Sequence, residues 1–214
     1  MGKPKTAYVC ADCGAHSVKW AGQCPDCGAW NTLSEVRVAA APVSGAEAIG
    51  LGALELDLEE RYATGFAEFD RVLGGGLVPG AVVLLGGDPG VGKSTLLQQV
   101  SGYLQGQLPV LYATGEESLR QVSQRARRLE IESTGLKVLA DTGLENVLGE
   151  VRRAASRVLI IDSIQTMTAA EVSSAPGSVA QLRECVGRVV QFAKQNEVSV
   201  FVIGHVTKEG AIAG

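Results

Sequence analysis

No run of eighteen apolar residues occurs in the 214-residue chain, so no helix able to cross a bilayer is expected. Met1-Gly-Lys-Pro-Lys-Thr-Ala-Tyr8 carries no apolar segment of the secretory type, and a cytoplasmic protein without a membrane partner is expected. An excess of positive charge is missing too. The 19 Lys and Arg against 23 Asp and Glu leave a net charge of −4, and the pI is about 5.3. That argues against binding nucleic acid by bulk charge and leaves room for a local basic stripe. Unpaired cysteine is scarce: four of the five cysteines stand in two Cys-x-x-Cys pairs. This is the pattern of a metal site in a reducing compartment, not of a disulfide framework. The remainder, 46% hydrophobic and 20% charged, suffices for one sizeable core and a small appendage.

Cys10-Ala-Asp-Cys13-Gly14 and Cys24-Pro-Asp-Cys27-Gly28 are near copies. The two-residue spacer lets both thiolates of a pair face one ion. The following glycine permits the tight turn that aims backbone N–H groups at sulfur. Four thiolates suit tetrahedral Zn²⁺ with every position filled, which makes a structural site. Iron as a redox centre would use the same ligands. Residues 1–35 are expected to form a zinc module that owes much of its stability to the metal. His16 is superfluous as a ligand and reads as a surface residue. Trp20 and Trp30 suit either the small core of the module or stacking on a base. Residues 36–58 include Ala39-Ala-Ala-Pro-Val-Ser-Gly-Ala-Glu-Ala48; they are small, polar and without periodicity, and read as a linker.

Further on stands Gly87-Asp88-Pro89-Gly90-Val91-Gly92-Lys93-Ser94, a match to G-x-x-x-x-G-K-[ST]. The apolar run Ala81-Val-Val-Leu-Leu85 precedes it, and Thr95-Leu-Leu-Gln-Gln-Val100 follows with helical character. Strand, glycine-rich loop and helix turn the motif into a phosphate cradle. Glycines let backbone N–H groups point inward around an anion, and the helix N-terminus adds partial positive charge. Lys93 offers its charge to the β- and γ-phosphates, and the Ser94 hydroxyl is placed for Mg²⁺. Arg157-Val-Leu-Ile-Ile-Asp162 reads as a buried strand ending in an acid, the Walker-B position, with Asp162 as the partner of Mg²⁺. Val110-Leu-Tyr-Ala-Thr-Gly-Glu116-Glu117 also runs out into carboxylates. One of them is expected to polarise the water that attacks the γ-phosphate, Glu116 first and Glu117 second. The plainer role for both is a favourable acidic first turn of the next helix. Val198-Ser-Val-Phe-Val-Ile-Gly-His205 ends in a histidine that either senses the γ-phosphate or sits as a satisfied strand-end residue. ATP and Mg²⁺ are the cofactors implied.

Strands are expected near 81–86, 109–113, 136–139, 158–161 and 198–203, and helices near 93–105, 118–130, 144–155 and 178–195. Phe66, Phe69, Val72 and Leu73 fall on one face of a further helix that Gly74-Gly-Gly76 ends. Such alternation means an α/β fold with a mainly parallel sheet covered on both faces, over residues 59–214. Arg120, Arg125, Arg127 and Arg128 cluster on one helix and Arg152, Arg153 and Arg157 near the next. Solvated faces are the reading for Arg127, Arg128, Arg152 and Arg153. Cys185, within an apolar helical run, reads as a buried thiol. Gln165 to Ser178 is long, polar and directly after the Walker-B strand, which marks a functional or mobile loop.

Taken together, the four-cysteine module, the run from Thr64 to Ser94, Thr114-Gly-Glu116-Glu117-Ser118, Ile161-Asp-Ser-Ile-Gln-Thr166, Ser173-Ser-Ala-Pro-Gly-Ser178 and Gly204-His-Val-Thr-Lys208 resemble the bacterial RadA (Sms) family of DNA-repair ATPases. The resemblance spans almost the whole chain. It implies a RecA-like P-loop core and a homo-hexamer that moves on single-stranded and branched DNA, promotes branch migration and cooperates with the RecA recombinase. It also implies that Glu116 activates water, that 165–178 is the first DNA-facing loop, and that a second opens at Thr207. The family continues with a Lys-Asn-Arg-Phe-Gly motif and a Lon-protease-like domain, neither of which is in this sequence. Ring formation and completion of the site in trans are therefore expected of the longer protein. Two other readings share parts of the pattern. One is a RecA/KaiC-like signalling ATPase or kinase that does not act on DNA. The other is a zinc interaction module with a vestigial nucleotide fold.

Overall fold

A computed structural model of the chain describes residues 5–38, 50, 60–132 and 135–205. The linker reading for 36–58 therefore lies outside the described residues, apart from 36–38 and 50, as do Thr207, Lys208 and the opening of the second loop. The side chain of His16 is likewise not described.

The first unit is a three-stranded antiparallel sheet of β1 (Lys5–Cys10), β2 (His16–Ser17) and β3 (Leu33–Val38), in the order β2-β1-β3. β1 pairs with β3 along its length, from Lys5 opposite Val38 to Cys10 opposite Leu33. β3 thus carries ladder pairing three residues into the stretch read as linker, because the partner strand β1 begins at Lys5 and needs that length opposite it. The two cysteine turns are equivalent. Gly14 N–H donates to the Cys10 carbonyl and Gly28 N–H to the Cys24 carbonyl, each at 2.9 Å. Both glycines sit at positive φ, +70° and +74°, where a side chain would be strained.

The second unit is a five-stranded, all-parallel sheet. It comprises β4 (Val82–Gly87), β5 (Val110–Thr114), β6 (Leu136–Ala140), β7 (Val158–Asp162) and β8 (Ser199–His205), in the order β4-β8-β7-β5-β6. The crossovers are α2 (Lys93–Leu104), α3 (Leu119–Arg128), α4 (Leu144–Arg153) and α5 (Val179–Asn196), and a short α1 (Ala67–Val72) precedes the sheet. β5 and β7 are buried at every residue, which is why they read as unbroken apolar runs.

Side-chain alternation sorts these strands into two cores. Val110, Tyr112, Val158, Ile160, Phe201 and Ile203 face α2 and pack with Leu97, Val100 and Leu104. Leu111, Ala113, Leu159, Ile161, Val200 and Val202 face the other way, against Val147 and Val151 of α4 and Cys185, Val189 and Phe192 of α5. Each fully buried Leu, Ile or Val contributes roughly 1.5–3 kcal/mol by leaving water. On α1, Phe66, Phe69 and Leu73 pack against the α2-side core, and Phe69 stacks on Phe201 with ring centroids 5.8 Å apart. Val72 departs from expectation. It is 69% exposed, because the helix lies on the core by its Phe69–Leu73 side only.

The stretch 165–178, read as a functional or mobile loop, is partly packed onto the core. After a 3-10 turn over Ile164–Thr166 it packs down: Met167, Ala169 and Val172 are buried in the α5-side core. Gln181 of α5, 2% exposed, accepts from Ala169 N–H at 2.9 Å and donates to the carbonyls of Val172 and Ser174 at 2.8 and 3.0 Å. One buried amide thus satisfies three backbone groups of the segment. Arg188 of α5 binds Glu171 in the same segment at 2.5 Å, and also Glu145 and Glu184.

Candidate functional site

Four parallel strands, β4, β5, β7 and β8, deliver their C-terminal ends to one edge of the sheet, where open α/β folds take ligands. β4 runs into residues 87–92, and Gly90 and Gly92 adopt φ of +84° and +97°. Only glycine enters that region freely, so the backbone can curl and hand over to α2 at Lys93. The Lys93 side chain is buried under the curl, its Nζ donating to the carbonyls of Gly87 at 2.6 Å and Asp88 at 2.8 Å. Ser94 and Thr95 follow on the first turn of α2, half-buried, while Asp88, Gly90 and Val91 stand out in solvent. The arrangement suits a polyphosphate: backbone N–H groups, a helix N-terminus and one ammonium converge.

Asp162 closes β7, 3% exposed, opposite Thr114 of β5. One carboxylate oxygen, Oδ2, accepts from the hydroxyl of Tyr112. The peptide bond from Asp162 to Ser163 is cis. Beside it, Glu116 Oε1 accepts from Ser163 Oγ, and His205 Nε2 lies 2.9 Å from the same oxygen. Burial pushes the Glu116 carboxyl up. The hydrogen bonds from Ser163 and His205 and the charge of Lys93 outweigh it and hold its pKa below the usual carboxylate value. A carboxylate kept ionised and aimed by two neighbours is a competent acceptor of a water proton. Glu117 is placed differently. It is ion-paired to Arg125 at 2.6 Å, and its backbone N–H donates to Thr114 Oγ1 at 3.0 Å. Ser118 then caps α3 through a reciprocal capping box with Gln121.

Ser163, Tyr112 and Arg125 are parts of this site that motif reading did not assign to it. Arg125 stood out only as one of a basic cluster, yet its guanidinium is buried, while Arg120, Arg127 and Arg128 are exposed. A single tyrosine in an otherwise aliphatic strand was the available signal for Tyr112.

In the smaller unit the four thiol sulfurs of Cys10, Cys13, Cys24 and Cys27 lie within 4.8 Å of one another. The Cys10–Cys27 and Cys13–Cys24 separations are both 3.7 Å. A tetrahedral ion with metal–sulfur bonds of ~2.3 Å requires sulfurs ~3.8 Å apart, so the set fits a four-thiolate metal site. Trp20 and Trp30 are exposed, 57% and 70%, and flank Gly22 rather than forming a core for the unit. That core is Cys10, Cys24 and Leu33. Cys185 is free and buried, and burial lifts its thiol to about 11. The two units touch: Arg183 of α5 donates to the Gly14 carbonyl at 2.7 Å, and Val9 joins the α5-side core.

The fold and the motif geometry thus define an α/β P-loop protein with an attached four-cysteine metal ribbon. Residues 53–211 match the family model described as an AAA domain, and residues 8–35 match a rubredoxin metal binding domain. Among similar curated proteins is the DNA repair protein RadA of Pseudomonas aeruginosa, 51% identical over 100% of this chain and 49% of that relative. Those of Escherichia coli K12 and Bacillus subtilis 168 are 48% and 44% identical over 99% and 100% of this chain, again 49% of each relative. The chain belongs to the AAA domain family and, within it, to the bacterial RadA family that its motifs resemble. It spans about half the length of the curated relatives it matches. Among the described residues no helix is long and apolar enough to cross a membrane.

Proposed function

We propose that this chain is the nucleotide-hydrolysing part of a DNA-dependent ATPase of recombinational DNA repair, a ring-shaped motor on single-stranded and branched DNA. In this reading residues 1–38, with the β3 pairing included, are the zinc module, 39–58 the linker and 59–214 the motor core. The observation that carries it is the convergence of Lys93, Asp162 and the Glu116–Ser163–His205 group at one sheet edge. Residues 87–95 hold the phosphates. Ser94 and Asp162 hold Mg²⁺, which when bound would draw charge off the phosphates. Glu116 takes the proton of the attacking water. Ser163 and His205 keep its carboxylate ionised and oriented, and His205 carries the state of that carboxylate to the chain beyond β8.

The names of the relatives support a role in DNA repair. Cooperation with RecA, the hexamer and the DNA loops belong to the proposal, as does zinc in the four-cysteine site. The test is ATP turnover of the full-length protein with and without single-stranded DNA. Stimulation by DNA is expected. Turnover indifferent to DNA would move the reading to a signalling ATPase or kinase, and no turnover at all would move it to a vestigial nucleotide fold.

A further inference from the structure

Behind Asp162 lies a buried polar network that the roles above leave unused. Tyr112 is fully buried among aliphatic residues of β5. A hydroxyl there must find a partner or cost several kcal/mol. Register supplies one. β5 and β7 pair Tyr112 with Ile160 and Thr114 with Asp162, so Tyr112 and Asp162 are diagonal neighbours on the α2 side of the sheet. The hydroxyl donates to Asp162 Oδ2.

From the other side Arg125 Nη2 donates to the same hydroxyl oxygen at 3.3 Å. Arg125, only 8% exposed, also donates through Nε to Gln98 Oε1 of α2 and through Nη1 to Glu117 Oε1 at 2.8 Å. Gln98 is fixed in turn by donating to the Val122 carbonyl of α3 at 2.9 Å. One planar fork thus ties together the phosphate-loop helix, the strand behind Asp162 and the turn that carries Glu116. Lysine carries its three donors on one nitrogen and lacks the fork whose bonds leave here from Nε, Nη1 and Nη2. Burying an arginine costs several kcal/mol, and a well-packed apolar side chain would serve stability as well or better. The network is therefore better accounted for by what it orients.

We propose that Arg125 and Tyr112 are positioning residues for the magnesium–nucleotide site. The guanidinium fixes the Tyr112 hydroxyl, the hydroxyl fixes the Asp162 carboxylate, and the same guanidinium holds Glu117 away from the Glu116–Ser163–His205 group. This rests on the nucleotide-binding reading above.

The experiment titrates Mg²⁺ into the chain with a fluorescent ATP analogue, for the parent, Tyr112→Phe, Arg125→Lys and the double variant, with thermal melting alongside. Both single variants should raise the Mg²⁺ midpoint about tenfold or more, the usual effect of losing a group that orients a metal ligand. Analogue binding in EDTA should stay within twofold of the parent. The double variant should be no worse than about the larger single effect, since both act through one path. Unchanged Mg²⁺ midpoints overturn the proposal, including the case where melting falls and the midpoint does not, which assigns the network to folding alone. Fully additive shifts overturn it as well. Should Arg125→Lys fail to fold, Tyr112→Phe, which removes one oxygen and keeps the ring, decides by the same midpoint. A parent that binds no analogue overturns this and the nucleotide reading together; a binding parent with unmoved variants overturns this alone.

Discussion

Glu116 accepts from Ser163 and faces His205, whereas its neighbour Glu117 is neutralised by a buried arginine. Glu116→Gln is expected to keep nucleotide binding within about threefold and to lower turnover by 100-fold or more, the scale of losing a general base. Glu117→Gln should act mildly on turnover and mainly loosen Arg125. Single-turnover hydrolysis beside equilibrium binding reads both. Lys93→Ala removes the charge under the curl and should weaken nucleotide binding as well as hydrolysis. The pH dependence follows from the lowered Glu116 pKa. The base is competent above that pKa and is lost as pH falls through it, so the acid limb of the rate profile should lie below the ordinary carboxylate range. The linked stability has the same sign: present above the unfolded-state pKa, lost as pH falls through the folded one. Ser163→Ala removes a bond that lowers the pKa and should move the acid limb to higher pH; a limb that stays put would remove Ser163 from this role.

Secondary elements were legible where burial is continuous. β5, β7 and β8 show as unbroken apolar runs, and Ser118 and Ser178 cap α3 and α5. The segment 165–178 was not legible as packed structure. Its buried residues Met167, Ala169 and Val172 follow neither a strand nor a helix period and stand among Thr, Ser and Gly. Gln181 substitutes for periodicity there, and nothing local marks a glutamine as a clamp. Gln181→Ala should leave the Ala169 N–H unpartnered, at a cost of about 1–3 kcal/mol. Amide hydrogen exchange should quicken at Ala169 while β7 stays protected. Unchanged exchange at Ala169 would show that the apolar contacts alone hold the segment. The Tyr112–Asp162 and Arg125–Tyr112 bonds join residues 50 and 13 apart in sequence, so they exist only through sheet register and the crossover.

For the molecule as a whole the cysteine spacing and the phosphate loop were the strongest words in the sequence, because each encodes a complete local geometry. Metal analysis should give about one zinc per chain, and less for Cys24→Ser, whose ribbon loses a ligand while the core still binds nucleotide. Stoichiometric iron with visible absorption would replace zinc by the redox reading. In the full-length protein, binding to single-stranded DNA should weaken steeply with salt and be largely indifferent to sequence. Arg183 joins ribbon and core at the Gly14 carbonyl, and the two tryptophans of the chain, Trp20 and Trp30, both belong to the ribbon. Indole fluorescence is therefore blind to the core by itself. A change in tryptophan emission when nucleotide is added would be light from the far side of the Arg183 and Val9 contacts, and would measure how far the phosphate loop's state travels into the ribbon.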